Sequence, residues 1–219
     1  MNTSSYEVVI WDFNGTIVND VALSAGVMNE LMRRYGLEPM NDKHYRDIFG
    51  FPVEDFYRTT GLTAFASFAE LAYEFTRIYN VKAKEDGLQA FSDIVETIKT
   101  LHEKAVCQII LSAAQHDLLT IQIAVMGLTG YFDAVLGISD IYSAGKVEIA
   151  QNWLNSRETQ PQRLLLIGDS EHDKEIADFL AADCVLISRG HVSKERLLAA
   201  GVPVFDDASG LLDLIIGGE

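Results

Sequence analysis

The chain has 219 residues, a formal net charge of −15 and 48% hydrophobic residues, which describes an acidic globular protein of one domain or of one domain with an insertion. Such a surface repels nucleic acid and anionic lipid, so we expect no nucleic-acid or membrane partner. No apolar run reaches the length of a membrane span, and residues 1–12 lack the layout of a signal peptide, so we expect a cytoplasmic protein.

Short apolar runs rich in β-branched residues alternate with helical patterns, which predicts a doubly wound parallel α/β sheet. The strands should be buried on both faces, because the runs do not alternate apolar with polar residues. The predicted strands are Glu7–Trp11, Cys107–Leu111, Ala134–Gly137, Leu164–Ile167, Cys184–Ile187 and Val202–Phe205. The predicted helices between them include Phe91–His102, Leu118–Met126 and Lys146–Trp153.

The stretch from residue 18 to residue 86 interrupts this alternation, because helical patterns follow the first strand one after another. Val21–Tyr35 and Phe65–Tyr79 have apolar residues at helical spacing, with turns rich in glycine and proline between them. We therefore predict an α/β core domain formed by residues 1–17 and 87–219 and an α-helical cap domain formed by residues 18–86. An insertion at this point would lie over the carboxyl edge of the sheet.

Ligands of open α/β sheets bind beyond the carboxyl ends of the strands, so residues that follow strands are candidates for a site. Asp12 follows the first strand, Ser112 the second and Asp169 a later one. Two carboxylates in one crevice are costly unless a hard cation joins them, and Mg²⁺ prefers oxygen ligands. Asp173 lies four residues after Asp169, and Lys146 at the start of a helix would offset phosphate or aspartate charge.

Each of these residues has an ordinary structural explanation when it is taken alone. An aspartate before a helix is usually an N-cap, while Asp173 or Lys146 by itself is usually a solvated helix residue. The stretch GISDIYSAGK is not a Walker phosphate loop, because its glycines are too far apart and Val147 replaces the metal-binding Ser or Thr. The joint order along the chain is what indicates an enzyme.

That order resembles the haloacid dehalogenase-like (HAD) superfamily of phosphohydrolases, through DFNGTIVND, ILSAA, Lys146 and GDSEHD. The helical stretch matches the cap that this superfamily inserts after its first motif, and LISRGHVSKERLLAAGVPVFDD is similar to the phosphoglycolate phosphatase-like branch. The resemblance implies a Rossmann-like core, Mg²⁺ as cofactor and a small phosphorylated metabolite, such as phosphoglycolate, as substrate. We expect a monomer or a homodimer.

The resemblance also implies roles for the motif residues. Asp12 would be the nucleophile that forms an aspartyl-phosphate. Asp12, the backbone carbonyl of Asn14 and Asp169 would hold Mg²⁺. Asp173, in the same metal site, would position a metal-bound water or Lys146.

The remaining implied contacts are with the substrate. Ser112, the backbone N–H of Ala113 and Lys146 would bind the phosphoryl oxygens. In the helical stretch Arg46 is a candidate for substrate contact, although a solvated helix face is the ordinary explanation for it. His191 is expected to be a surface histidine.

Asn14 departs from the usual pattern Asp-x-Asp-Gly-Thr, in which the second acid protonates the leaving oxygen and then activates water. An amide does neither, and loss of a general acid–base costs about 10²–10⁴ in rate. We therefore expect a slow phosphatase that depends strongly on leaving-group pKa, or a regulatory protein that binds a phosphorylated ligand with little turnover. Carbon–halogen hydrolysis and phosphonate hydrolysis through a Schiff base on Lys43 are further alternatives. Two further explanations of Asn14 remain open: it was engineered in place of an aspartate, or the Asn14–Gly15 pair deamidates to restore an acid.

Overall fold

The computed structural model describes residues 6–138 and 145–217, so part of the GISDIYSAGK stretch lies outside the described residues. Six strands in these ranges form one parallel sheet in the order β3-β2-β1-β4-β5-β6, which confirms the predicted doubly wound α/β class. The strands are β1 (Val8–Trp11), β2 (Cys107–Gln115), β3 (Ala134–Ile138), β4 (Leu164–Gly168), β5 (Asp183–Ile187) and β6 (Val204–Phe205).

Ten α-helices lie in the described ranges, and none of them is long and apolar enough to cross a membrane. The first four are α1 (Val21–Arg34), α2 (Asp42–Ile48), α3 (Val53–Thr59) and α4 (Phe68–Asp86). The others are α5 (Ser92–Glu103), α6 (His116–Val125), α7 (Lys146–Asn155), α8 (Glu171–Phe179), α9 (Lys194–Leu198) and α10 (Leu211–Ile216).

The predicted elements are present with shifted ends. The last strand begins at Val204 rather than Val202, because Pro203 has no N–H to donate to the ladder. Helix α4 begins later than predicted, because Ser67 forms a capping box with Glu70.

The two faces of the sheet bury separate apolar clusters. Val9 and Trp11 of β1 enter one cluster with α5, α6 and α10. Val8 and Ile10 enter the other with α7, α8 and α9. Because both faces of β1 are covered, its sequence is a continuous apolar run.

Helices α1 to α4 bury a third cluster of their own, formed by residues between Val21 and Leu88. We call residues 18–86 the cap segment. It contacts the core beyond the strand ends, where Ser193 N donates to Arg46 O at 3.1 Å and the Arg196 guanidinium donates to Asp47 O at 3.2 Å. The cap segment therefore covers the carboxyl edge of the sheet.

Candidate active site

Three buried carboxylates meet at the carboxyl edge of the sheet. Strands β1 and β4 are paired, with Trp11 opposite Ile167, and Asp12 N donates to Ile167 O at 2.9 Å. Asp12 and Asp169, which follow these positions, therefore lie close together at the ends of the two strands. One carboxylate oxygen from each of Asp12, Asp169 and Asp173 lies within 4.8 Å of the others. The structure thus brings together the three acids that the sequence singles out.

The Lys146 ammonium lies among these carboxylates, at the start of α7. It donates to Asp12 Oδ1 and lies 3.4 Å from Asp173 Oδ1. Burial alone would lower the pKa of Lys146, but Asp12 and then Asp173 raise it well above its usual value. Lys146 is therefore a buried cation, not a solvated helix lysine.

The carboxylates nevertheless outnumber this cation. Burial raises the pKa of Asp12 to about 6, and the Asp173 charge adds to the rise while Lys146 opposes it. Burial also raises the pKa of Asp169 to about 8; His191 opposes this rise, and Asp12 and Asp173 add to it. A cluster with this excess of negative charge and only oxygen donors suits a hard divalent cation.

Asp173 has a structural role as well as its place in this cluster. Its Oδ2 accepts hydrogen bonds from Ser170 N at 3.1 Å and Asp169 N at 3.2 Å, which caps the first turn of α8. The carboxyl packs so closely that a Cβ on Gly168 would lie 2.3 Å from Asp173 Cγ. Asp173 is therefore held inward and is not a solvated helix residue.

Ser112 and Ala113 line the same cavity as the acids. The sequence predicts that Ser112 follows β2, but the residue lies within this strand. The strand continues to Gln115, beyond a register shift in its pairing with β3. Ser112 Oγ is buried and accepts from Ala114 N at 3.1 Å. Its hydroxyl hydrogen is left to donate to a ligand in the cavity.

Asn14 is held by a buried carboxylate that the sequence analysis missed. Asn14 Nδ2 donates to Asp20 Oδ2 at 2.8 Å and to the Tyr79 hydroxyl at 3.2 Å, and Gly15 N donates to Asp20 Oδ1 at 3.0 Å. Burial alone would raise the pKa of Asp20, but His191 and the hydrogen bonds from Asn14 and Tyr79 hold it below its usual value. The Asn14 amide thus serves as a hydrogen-bond donor to Asp20.

His191 lies in the same network, so the expectation of a surface histidine is wrong. It is 5% exposed, its Nε2 lies 3.1 Å from Asp20 Oδ1, and its Nδ1 lies 3.0 Å from the Tyr45 hydroxyl. Its backbone N–H donates to Asp169 Oδ2. Burial alone would lower its pKa, but Asp20 raises the pKa to about 9. The sequence could have indicated this position, because His191 follows β5 closely and so lies at the carboxyl edge of the sheet.

Two cap residues that the sequence suggested lie away from the cavity. Arg46 does not line it, and its Nη2 donates instead to Arg189 O at 3.2 Å across the boundary with the core. The Lys43 side chain is 80% exposed and pairs with Asp47 at 2.6 Å, which raises its pKa. A Schiff-base lysine needs a lowered pKa, so Lys43 gives no support to phosphonate chemistry.

The cavity has a volume of about 780 Å³ and separates the sheet edge from the cap segment. Its sheet side carries the acids, Lys146 and Ser112. Its cap side carries eight aromatic side chains, which we call the aromatic wall. The wall comprises Tyr45, Phe49, Phe51, Phe56, Tyr57, Phe68, Phe75 and Tyr79.

Buried acids and a lysine at the carboxyl edge of a parallel sheet, beneath a helical insertion, form a candidate ligand site of an α/β protein. The sequence model of the family described as haloacid dehalogenase-like hydrolase matches residues 9–187. The chain belongs to that family.

Named relatives agree with this membership at low identity. A phosphoglycolate phosphatase of Synechococcus elongatus is 24% identical over 195 residues, 89% of each chain. The pyrophosphatase PpaX of Listeria welshimeri is 24% identical over 184 residues, 79% of each chain. A solved haloacid dehalogenase-like hydrolase of Streptococcus pneumoniae has a TM-score of 0.75 at 18% identity, covering 97% of this chain and 98% of its own, and this likeness concerns the fold alone.

Proposed function

We propose that the protein is a Mg²⁺-dependent phosphatase that hydrolyses a small phosphomonoester through an aspartyl-phosphate on Asp12. The observation that carries the proposal is the contact between the buried Asp12 carboxylate and the buried Lys146 ammonium, next to Ser112 in one cavity. Family membership and the phosphatases among the relatives support it.

The donor set fits the metal ion. Asp12, Asp169 and Asp173 supply hard carboxylate oxygens in a buried cluster, and the Asn14 backbone carbonyl is the fourth protein ligand that we propose. Mg²⁺ bound there supplies positive charge that stabilises the transferring phosphoryl group. Retention of this cluster favours a metal-dependent phosphatase over metal-independent carbon–halogen hydrolysis.

The chain's own residues perform the remaining steps. Asp12 attacks phosphorus, while Lys146 and Ser112, with the Ala113 N–H, orient the phosphoryl oxygens. No proton donor stands at position 14, so the leaving oxygen departs without general-acid help from this residue.

A binding role with little turnover is the second candidate, and Asn14 is the observation that favours it.

Deamidation of Asn14 is disfavoured by the geometry, because the nucleophile for that reaction is Gly15 N. This N–H is engaged by Val18 O at 2.9 Å and Asp20 Oδ1 at 3.0 Å. The Asn14 amide is itself fixed by Asp20.

Some expectations from the sequence belong to the proposal as well. We propose a core domain of residues 1–17 and 87–219, a cap domain of residues 18–86, a cytoplasmic location and a monomer or homodimer. The name of the Synechococcus relative makes phosphoglycolate one of the esters to be tested.

The test is phosphate release from a panel of phosphomonoesters with Mg²⁺, for wild type, Asp12→Asn and the exposed control Asp117→Asn. We expect turnover in wild type and Asp117→Asn, and release at the level of the protein-free blank in Asp12→Asn, because an amide is not a nucleophile toward phosphorus. Wild-type rates in Asp12→Asn would refute the mechanism. Silence of wild type, together with binding of a phosphate analogue, would favour the binding role.

A further inference from the structure

We infer that the substrate is an aryl phosphate, the phosphomonoester of a phenol, whose ring occupies the cavity beside the aromatic wall. The inference rests on the phosphatase function proposed above and names the substrate class of the same site. Three independent features of the described residues carry it: the lining of the cavity, the engagement of its cations, and the amide at position 14.

The lining of the cavity matches an aromatic group. The eight aromatic side chains of the wall all lie between residues 45 and 79, and Met28, Val53 and Ala72 add apolar surface beside them. The rings of Phe75 and Tyr79 stack at a centroid distance of 6.0 Å, so the wall already has the packing that a further ring extends. A cavity of about 780 Å³ lies in the range of sites for larger organic ligands, well beyond the needs of a two-carbon acid.

The cations of the cavity are already paired. The basic residues among the described lining are Lys146, bound to Asp12 and Asp173, and His191, bound to Asp20. Residues 139–144 contain neither Lys nor Arg in their sequence.

A substrate with a carboxylate on its leaving group, such as phosphoglycolate, would find no unpaired cation in the described lining, where the aromatic rings are accompanied by neutral polar side chains such as Thr76, Asn80 and Gln122. A charge buried without a partner is expensive. The same argument applies to a second phosphate, as in pyrophosphate. The lining therefore selects a leaving group that carries no charge beyond the phosphate.

Asn14 makes a second, chemical selection. In the first step the Asp12 carboxylate forms a bond to phosphorus, and the bond between phosphorus and the leaving oxygen breaks, with its electron pair passing to that oxygen. Water then cleaves the aspartyl-phosphate to inorganic phosphate, and the leaving oxygen takes its proton from solvent. Without an acid at position 14, the leaving group departs as an anion, which is far easier for a phenol of pKa about 10 than for an alcohol.

Neither selection alone gives the substrate class. An apolar alkyl phosphate would fit the wall but would leave as a strongly basic alkoxide. Acetyl phosphate would leave readily but would not fill the cavity. An aryl phosphate satisfies both conditions.

The first experiment compares phenyl phosphate, benzyl phosphate and phosphoglycolate with wild-type protein and Mg²⁺. We expect similar KM values for the two aromatic esters, each at least about 10-fold below that of phosphoglycolate. We expect kcat for phenyl phosphate to exceed that for benzyl phosphate by about 10²-fold or more, because benzyl alcohol is the poorer leaving group. Phenylphosphonate should also bind more tightly than phosphonoacetate in calorimetry with Mg²⁺, which needs no turnover.

The second experiment tests the wall with Phe75→Ala, Phe75→Leu and the control Tyr73→Ala. Phe75 lines the cavity, whereas Tyr73 lies on the same helix, is 71% exposed and does not line it. We expect KM for phenyl phosphate to rise about 5- to 10-fold in Phe75→Ala, less in Phe75→Leu, and to stay unchanged in Tyr73→Ala. Thermal unfolding identifies any variant that fails to fold, and Phe75→Leu, which keeps most of the volume, then serves as the test.

The outcomes separate this inference from the proposed function. A kcat/KM for phosphoglycolate equal to or above that for phenyl phosphate would overturn the aryl substrate and leave the phosphatase in place. Release of phosphate from no ester would overturn the phosphatase and the aryl substrate with it. Equal KM changes for phenyl phosphate and phosphoglycolate in Phe75→Ala would overturn the contact between ring and wall.

Discussion

The sheet edge and the aromatic wall face each other across one cavity, and they are built in different ways. The sheet edge places Asp12 and Asp169 at the ends of paired strands, with the Lys146 ammonium among the carboxylates. The wall is assembled from α2, α3, α4 and the turns between them, and its surface is mainly that of aromatic rings. Under the proposed function the edge carries out the chemistry and the wall selects the substrate, so we expect mutations at the edge to lower kcat and mutations in the wall to raise KM.

A hydrogen-bond network joins the two sides. Asp20, at the start of the cap segment, accepts from Asn14 of the core and from the Tyr79 hydroxyl at 2.9 Å. His191 of the core contacts both Asp20 and the Tyr45 hydroxyl. Because these groups are buried, loss of one partner leaves another without its hydrogen bond. This network links Tyr45 and Tyr79 of the wall to Asn14 and His191 of the core.

The largest effect should follow from crowding the sheet edge with Gly190→Ala. A Cβ at this position would lie 2.1 Å from Asp169 Oδ2 and 2.3 Å from Asp169 Cβ, so the carboxylate must move. We expect kcat/KM to fall by about 10²-fold or more, since displacements of this size in a catalytic site have that effect. Steady-state kinetics with phenyl phosphate and titration of Mg²⁺ measure the loss.

Gly26→Ala is the matched control on the cap side. A Cβ on Gly26 in α1 meets no atom within 4 Å, so activity should stay at the wild-type level and the free energy of unfolding should rise by about 0.5–1 kcal/mol. Full activity of Gly190→Ala would show that the sheet edge tolerates displacement of the Asp169 carboxylate. The expected difference between mutations at the edge and mutations in the wall would then not hold.

A smaller effect concerns the stability of the metal-free protein. Burial raises the pKa of Asp169 from its ordinary value near 4 to about 8; His191 opposes this rise, and Asp12 and Asp173 add to it. Between about pH 4 and pH 8 the folded protein binds more protons at this site than the unfolded chain. Its free energy of unfolding should therefore fall as pH rises through this window.

Asp169→Asn removes this ionisation and keeps an oxygen that accepts from His191 N. We expect metal-free Asp169→Asn at pH 8 to be more stable than wild type by about 1 kcal/mol or more, although inactive. Urea unfolding with a chelator at pH 5 and pH 8 measures this, with Asp117→Asn as an exposed control. A flat pH dependence in wild type would contradict the excess of charge at the sheet edge.

The sheet edge could be predicted from the sequence because its positions follow from backbone geometry. A continuous apolar run predicts a buried parallel strand, and the residue after it lies at the ligand edge whatever the tertiary details. Asp12 and Asp169 were found in this way. The sequence could not show that Ser112 lies inside β2, because the register shift there depends on the pairing with β3.

The network and the wall could not be predicted, because their partners are far apart in the chain and have ordinary local explanations. Asp20 and His191 are separated by 171 positions, and an aspartate before a helix is usually only a cap. Phe75 and Tyr79 form a stripe at helical spacing that predicts a buried face. Periodicity does not distinguish a face that packs against the cap core from one that lines a cavity.

The smallest effect, and the one that joins both sides, is expected for Asn14→Asp. The new carboxylate would face Asp20 Oδ2, where the amide now donates at 2.8 Å, and two carboxylates this close share a proton rather than both ionise. Since burial alone would raise the pKa of Asp20 but His191 holds it below its usual value, the shared proton would lie on the acid at position 14, which could then assist a poor leaving group.

We therefore expect kcat for benzyl phosphate to rise about 10-fold in Asn14→Asp, with little change for phenyl phosphate, whose anion leaves without help. Asn14→Ala removes the same hydrogen bonds without adding an acid, so it should raise neither rate. An equal rise in kcat for both esters, or a rise in kcat in Asn14→Ala, would mean that the amide limits turnover through its hydrogen bonds to Asp20 and Tyr79. The lack of a general acid at position 14 would then not be the cause. In that case the selection for phenols would belong to the wall alone.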